Sequence, residues 1–281
     1  MTRFSGTPQF VSQSVGTVLG AIRVQVSPGT GPAILMWPSL LMTGDLWTGQ
    51  AARFGESNRV VLIDPPGHGG SEKLRAPFSF TDCARCVVDL LDGLGLAKTH
   101  FVGNSWGGMI GATFAADYPD RVEKAVLMNC TASKAGFAQK IKYEAMLRMA
   151  TVLGGMRPPL TRSALRAFLG PTTLRTRPDV VDAVRASLRA VDIDSARWAV
   201  RSVVPARPDQ HALLRRITAP VLVVAGAEDA TFPVAETRAM ADSIPGSSFT
   251  VLDGIAHLAA REDPDRVNSL LEAFLFDTGK P

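Results

Sequence analysis

Three observations predict an α/β fold, with a mostly parallel central sheet and helices on both faces. Short β-branched or apolar runs alternate with helical patterns along most of the chain. Several of those runs are continuously apolar, as strands buried on both sides are. Residues 134–217 break the alternation with amphipathic segments rich in Arg and Ala and no convincing strand. That stretch is expected to be a helical insertion between two strands, a lid above the strand ends. The expected organisation is a core in two parts, 1–133 and 218–281, separated by a lid at 134–217.

Taken in order, the expected strands are Gly16–Leu19, Ala21–Val26, Ala33–Met36, Val60–Asp64, Thr99–Gly103, Lys124–Asn129, Pro220–Ala225 and Ser248–Leu252. The first two read as an antiparallel hairpin at one edge. Helical patterns follow most of the others, at Trp47–Phe54, Thr81–Gly93, Gly108–Tyr118, Val234–Ser243 and Asp263–Phe276. Inside the insertion the amphipathic segments are Ala138–Leu153, Arg162–Leu169, Pro178–Ala190 and Asp194–Val203, punctuated by Gly154-Gly155 and Pro158-Pro159. There is no internal repeat and no low-complexity tract.

Composition narrows the function classes. At 281 residues and 46% hydrophobic content, the chain can bury a large core in one or two domains. No apolar run reaches the roughly 18 residues a membrane span needs. Met1–Gln13 is polar and lacks the apolar region of a secretory signal, so a cytoplasmic protein is expected. Cys83 and Cys86 have C-x-x-C spacing but sit in a helical pattern with no second ligand pair. They read as two helix-face residues, and no metal site is expected. The net charge of +4 is unevenly spread: residues 134–216 hold 16 Lys and Arg against 6 Asp and Glu, and the remainder is net acidic. Solvated helix faces account for this, as does a basic region that draws an anionic substrate to the site. No aromatic-basic interleaving accompanies the charge, so nucleic acid is not an expected partner.

The run Phe101-Val102-Gly103-Asn104-Ser105-Trp106-Gly107-Gly108 carries the chemistry. A strand pattern leads into Ser105 and a helical pattern leads away. Gly103 and Gly107 flank it at two residues' distance, where strand and helix backbones must pass within contact. Such a turn holds the serine in a strained conformation with its hydroxyl at a helix N-terminus. The backbone N–H of Trp106 is there placed to stabilise developing negative charge, as half of an oxyanion hole. The Trp106 ring could line the acyl pocket or wedge beneath the turn. Trp47 reads as core, and Met36, Met42, Met146 and Met149 as gap-fillers.

A serine hydroxyl needs a base, and the base needs an acid to orient it. Of four histidines, His100 lies within the strand before Ser105, His211 at the end of the insertion, and His68 on a strand-end loop upstream of the serine. His257 follows the last strand and precedes a helix, which puts it at the same sheet edge as Ser105. It is the expected base. Asp229 stands at the carboxyl end of the buried strand Val221–Ala225, one helix-and-strand unit before His257, and is the expected acid. Glu228 is its rival and reads as a loop-surface carboxylate; Asp253 reads as a turn cap.

The chain order Ser105, Asp229, His257 and the serine turn resemble the α/β-hydrolase superfamily across nearly the whole length, the insertion matching least. That family usually carries His-Gly-x-Gly in the loop after the strand Ala33–Met36. Here Pro38-Ser39 takes the place of His-Gly. The resemblance implies that Leu40, or a residue on either side, supplies the second oxyanion N–H; Pro38 has none to give. It also implies a serine hydrolase that needs no metal or organic cofactor.

A serine nucleophile, where epoxide hydrolases and haloalkane dehalogenases carry aspartate, argues against those relatives. Pro38-Ser39-Leu40, the Asp64–Ser71 loop and Asn129-Cys130-Thr131-Ala132 resemble 3-oxoadipate enol-lactonases and related carboxylesterases. The expected substrate is therefore a small ester or lactone, an anionic one suiting a basic lid. Gly103-Asn104-Ser105-x-Gly107-Gly108 also resembles hydrolases that cleave carbon–carbon bonds in ring-fission products, which commonly have an aromatic residue where Leu258 stands here. A cofactor-free peroxidase-type activity and a non-catalytic ligand-binding module are the remaining alternatives. The sequence leaves the oligomeric state open.

Overall fold

A computed structural model describes residues 9–276. Most of the polar opening segment, residues 1–8, and residues 277–281 lie outside the described part. One eight-stranded sheet organises the chain: β1 (Val11–Thr17), β2 (Gly20–Val26), β3 (Gly31–Trp37), β4 (Asn58–Ile63), β5 (Thr99–Asn104), β6 (Val122–Met128), β7 (Val221–Gly226) and β8 (Ser248–Leu252). The spatial order is β1-β2-β4-β3-β5-β6-β7-β8. β1 and β2 pair antiparallel, as do β2 and β4, and every later pairing is parallel.

Helices α1 (Thr48–Phe54), α2 (Phe80–Gly93) and α3 (Trp106–Asp117) join the first parallel strands. Between β6 and β7 lie only helices: α4 (Phe137–Val152), α5 (Leu160–Phe168), α6 (Pro171–Thr176), α7 (Pro178–Arg189), α8 (Ile193–Val203) and α9 (His211–Leu214). The chain closes with α10 (Val234–Ala241), α11 (Ala259–Glu262) and α12 (Pro264–Phe276).

Handedness distributes these helices. The β3-to-β4 crossover runs toward the β1 edge, whereas the later ones run the other way. Right-handed crossovers of opposite direction place their helices on opposite faces. Accordingly α1 packs against α12, and α2 against α3. The strand order reverses at β3, between β4 and β5, which opens a crevice beyond the carboxyl ends of β3 and β5.

The carboxyl-terminal halves of the central strands are buried, and their apolar runs supply the core: Ile34 and Leu35, Val60 and Val61, Phe101 and Val102, Val126 and Leu127. α2 starts at a capping box, in which the Ser79 hydroxyl accepts from the Asp82 N–H and the Asp82 carboxylate accepts from the Ser79 N–H. Cys83 and Cys86 lie on the buried face of α2 as free thiols, with protonation pushed up by burial, to about 12 for Cys86.

The first strand departs from expectation. β1 covers Val11–Thr17, and Val18-Leu19 form the turn into β2, with Gly20 at φ +91°. An edge strand with mostly exposed residues carries little apolar signal, while the turn happens to be apolar.

Candidate active site

Ser105 joins β5 to α3 with φ +56° and ψ −111°, a region costly for any residue with a side chain. Glycines make the turn possible. A Cβ on Gly103 would lie 2.2 Å from the Gly107 carbonyl oxygen, and one on Gly107 2.1 Å from that of Trp37. The strained turn is held by the Ser105 N–H, which donates to the Met128 carbonyl at 2.8 Å, and by the Met109 N–H, which donates to the Ser105 carbonyl at 3.0 Å.

Neighbouring strands bring the expected acid and base together. β7 and β8 pair in parallel, so the loops beyond their carboxyl ends lie side by side. His257 Nδ1 and Asp229 Oδ2 are 2.8 Å apart, with both side chains buried. The other carboxylate oxygen of Asp229 accepts from the backbone N–H groups of Thr231 at 2.7 Å and Phe232 at 3.1 Å. These bonds fix the carboxylate plane and aim one oxygen at the imidazole. The His257 ring stacks on Phe168 of α5, 5.6 Å between centroids and 10° from parallel, and leans on Phe232.

Three groups to which the sequence assigns no individual role hold this arrangement. Asn104 and Asn129 side-chain amides both donate to the His257 carbonyl, at 2.8 and 3.0 Å. Asn129 also accepts from the Gly226 N–H at 2.7 Å, so the ends of β5, β6 and β7 converge on one loop. Asn129 does this at φ +50°, a conformation Asn tolerates better than most residues. Glu262, 4% exposed, accepts from the N–H groups of Ala256 at 3.1 Å and Leu258 at 3.2 Å, on both sides of His257. Its second oxygen accepts from the Gly170 N–H and the Thr173 hydroxyl of the insertion. Burial pushes the Glu262 carboxyl above the ordinary range, and these four donors oppose that.

Glu228 is not a free surface carboxylate. It is half-buried and accepts from the Thr172 N–H at 2.9 Å and the Thr172 hydroxyl at 2.5 Å, so it ties the loop beside Asp229 to α6. The Asp253 backbone carbonyl accepts from Arg266.

The loop after β3 is pinned on both sides of Leu40. Asn104 donates to the Ser39 hydroxyl at 2.6 Å, and the Leu41 N–H donates to His68 Nε2 at 3.2 Å, with Leu41 at φ +64°. The Met42 N–H turns back to the Ser39 carbonyl. Leu41 and Met42 thus have their N–H groups engaged, which separates them from Leu40. Trp106 is fully buried beneath the turn, its ring edge-on to Trp37 and stacked on Phe78, with His68 alongside. Its backbone N–H stands in the first turn of α3, where helix N–H groups lack intrahelical partners.

His68 holds the loop: Nδ1 donates to the Pro66 carbonyl at 2.9 Å while Nε2 accepts from Leu41. Burial lowers its tendency to protonate. His100 packs edge-on against Phe276, and His211 lies between the hydroxyls of Ser133 and Ser243. Neither reaches the serine turn.

Ser105, His257 and Leu40 line one cavity. Its far walls come from α4, α5 and α8, through side chains such as Met146, Leu147, Leu160 and Val203. Of the methionines weighed from sequence, Met146 faces the cavity, Met36 and Met42 are core, and Met149 is exposed. Among the described residues no group of three or more His, Cys, Asp or Glu is placed to hold a metal ion, and no helix is long and apolar enough to cross a membrane.

Comparison with known proteins agrees with this architecture. The chain is 29% identical over 244 residues to 3-oxoadipate enol-lactonase 2 of Acinetobacter baylyi, covering 87% of this chain and 88% of the relative. It is 30% identical over 257 residues to a 2-hydroxy-6-oxononadienedioate/2-hydroxy-6-oxononatrienedioate hydrolase of Paraburkholderia phymatum, covering 88% and 84%. The fold superimposes on a thermophilic esterase from Thermogutta terrifontis with a TM-score of 0.83 and 25% identity, over 95% of this chain and 98% of the other. Residues 32–264 match the family model of the alpha/beta hydrolase fold, and the chain is a member of that family of hydrolases.

Proposed function

We propose that the protein is a serine hydrolase of carboxylic esters or lactones, acting through an acyl-enzyme. The observation that carries this reading is one cavity into which the strained Ser105 and the Asp229-bound His257 both open. In the mechanism, Ser105 Oγ attacks the acyl carbon while His257 Nε2 takes its proton. Asp229 holds Nδ1–H and stabilises the imidazolium that forms. The tetrahedral oxyanion is met by the N–H groups of Trp106 and Leu40. His257 then protonates the leaving oxygen, and afterwards draws a proton from the water that releases the acid.

In this reading residues 134–217 act as a lid over a core built from 1–133 and 218–281. The acyl and alcohol parts of the substrate are small and largely apolar, matching the cavity walls. Three buried, unbridged cysteines suit a reducing compartment, and the cytoplasm is part of the proposal.

The test is a hydrolysis panel of p-nitrophenyl acetate to octanoate, small lactones, and one vinylogous diketone acid, run against Ser105→Ala. Turnover of esters or lactones, reduced on the order of 10⁶-fold in the variant, supports the reading. Near-normal turnover by Ser105→Ala sinks it. The relative at 30% identity, whose name denotes a hydrolase of an oxodienedioate, favours carbon–carbon bond cleavage as the second reading. Turnover of the diketone acid alone would establish that reading over the first.

A further inference from the structure

Arg207 stands apart from the other basic residues of the insertion. Those with ion pairs, such as Arg177, Arg185 and Arg201, meet carboxylates at the surface. Arg207 is 5% exposed and lines the cavity that holds Ser105 and His257. Its guanidinium is oriented by neutral partners only. Nε donates to the Ser133 carbonyl at 2.7 Å, Nη2 donates to the Gln139 side-chain oxygen at 3.3 Å, and the group lies over the Phe232 ring at 5.5 Å.

Among the described residues no carboxylate comes within ion-pair distance of Arg207, and its Nη1 has no hydrogen-bond partner. Glu236, whose field reaches it, is exposed and accepts the Thr131 hydroxyl instead. A guanidinium does not shed its proton, so a buried one without a counter-charge is costly unless something else supplies the charge. The cavity beside it is otherwise mostly apolar, its other lining cation, Lys142, being exposed, and a ligand entering it is the available source of charge for the buried Arg207.

We infer that Arg207 is an anion subsite, and that the substrate is an ester or lactone whose apolar body carries a carboxylate. The inference rests on the hydrolase reading above and adds the second recognition point to it. The carboxylate meets Nη1 and the reacting carbonyl meets Ser105. Phe232 touches both ends of this span, since its ring is 5.5 Å from the guanidinium and 5.7 Å from the His257 ring. Arg207 therefore lies within about 11 Å of the imidazole, which limits the spacer between the two groups to a few carbons. Arginine suits this task because its planar fork can grip both carboxylate oxygens.

Mono-p-nitrophenyl esters of the straight-chain diacids from succinic to suberic, each paired with the alkanoate ester of equal chain length, test the subsite. The wild-type kcat/KM should favour the diacid monoester by about 10- to 100-fold at the best spacer length, the range expected of a charge-assisted hydrogen bond. Arg207→Met should collapse that ratio toward one, and Arg207→Lys should retain part of it, as a charge without the fork. A ratio that is the same in wild type and in folded Arg207→Met overturns the subsite.

Binding gives a readout that needs no turnover. Calorimetry on Ser105→Ala protein compares the monomethyl ester of the preferred diacid with the methyl alkanoate of equal length. If nothing is hydrolysed, suberic acid monomethyl ester and methyl octanoate serve. Tighter binding of the anion by the same factor, abolished when Arg207→Met is added, supports the subsite; equal affinities across the pair, or a preference that survives Arg207→Met, overturn it. Absence of hydrolysis with the binding preference intact would overturn the hydrolase reading and leave the subsite standing.

Discussion

The loops that carry His68 and His257 begin from similar materials and end with different capabilities. Both histidines are buried, at 6% and 1% exposure, and each has a buried aspartate nearby, Asp64 or Asp229. Asp64 is consumed by structure: it pairs with Arg23 at 2.9 Å and accepts from the N–H groups of Gly44 and Gly70. Both nitrogens of His68 are likewise bound to backbone, one to a carbonyl only two residues away. His257 instead uses Nδ1 on a carboxylate 28 residues distant, and its ring faces the cavity that Ser105 lines. Burial and residue type are shared; what differs is whether one ring nitrogen remains for the substrate side. A scaffold histidine spends both nitrogens, whereas a base must keep one.

The most severe way to break the comparison is His257→Ala. Turnover of the best ester in the panel should fall on the order of 10⁶-fold, as for Ser105→Ala, and the double variant should be no worse than either single one. That non-additivity is the signature of groups acting as a unit. An additive loss in the double variant, or a mild one in His257→Ala, would move the base elsewhere.

Glu262 sharpens the same contrast at smaller scale. It braces the backbone on both sides of His257 and also holds the Gly170–Thr173 turn, whose neighbour Phe168 stacks on the imidazole. Gln has the same shape but replaces one acceptor oxygen by a donor, which sets N–H against N–H on one side. Misplacing a catalytic group by about 1 Å can cost on the order of 10²-fold in rate. Glu262→Gln should therefore lower kcat by about that factor with little change in KM, assayed well below its melting temperature. An unchanged kcat beside a lowered Tm would reduce Glu262 to a structural strut.

These contrasts also mark where the sequence was legible. Strands β4 to β7 are readable to within a few residues because burial on both faces forces continuous apolar runs, and the edge strand β8 from its place in the strand–helix alternation. β1 is not, since an exposed edge strand has no such pressure and the turn after it, Val18-Leu19, is apolar. Ser105 was readable from steric necessity, as only small residues let the backbones cross at 103 and 107. His257 and Asp229 followed from their positions at strand ends. The pairing that orients them rests on β7 lying beside β8, and that was inferable from alternation alone. Glu262, Asn129, Phe168 and Arg207 were hidden for one shared reason. Their roles depend on partners between 74 and 128 residues away, or on burial that composition does not reveal. Sixteen basic residues of the insertion are equivalent in sequence, and burial against the cavity singles out Arg207. The role of Glu228 is hidden for the same reason, its partner Thr172 lying in the insertion 56 residues away.

The gentlest break is on the scaffold side. His68 must stay neutral, because protonated Nε2 would turn an N–H toward the Leu41 N–H it now accepts from. Burial holds its protonation below the ordinary value of 6.5, and the Pro66 carbonyl and Asp64 only partly oppose this. As pH falls below about 6.5, the unfolded chain takes up a proton that the folded one refuses, so stability falls on the acid side. The slope for one group is at most about 1.4 kcal/mol per pH unit, or some 2–4 °C in Tm per kcal/mol in a chain of this class. His68→Gln keeps an acceptor for Leu41 but carries no titrating ring. Its Tm should lie within a few degrees of wild type at pH 8 and drop less than wild type between pH 7 and 5. His100, also buried and held low, titrates alike in both proteins and cancels in the difference. Ester turnover in His68→Gln should fall far less than in His257→Ala, since the Leu40 loop is kept. Parallel melting curves across that pH range would show that His68 is not held neutral by its place under the loop, and the division of labour between the two histidines would lose its physical basis.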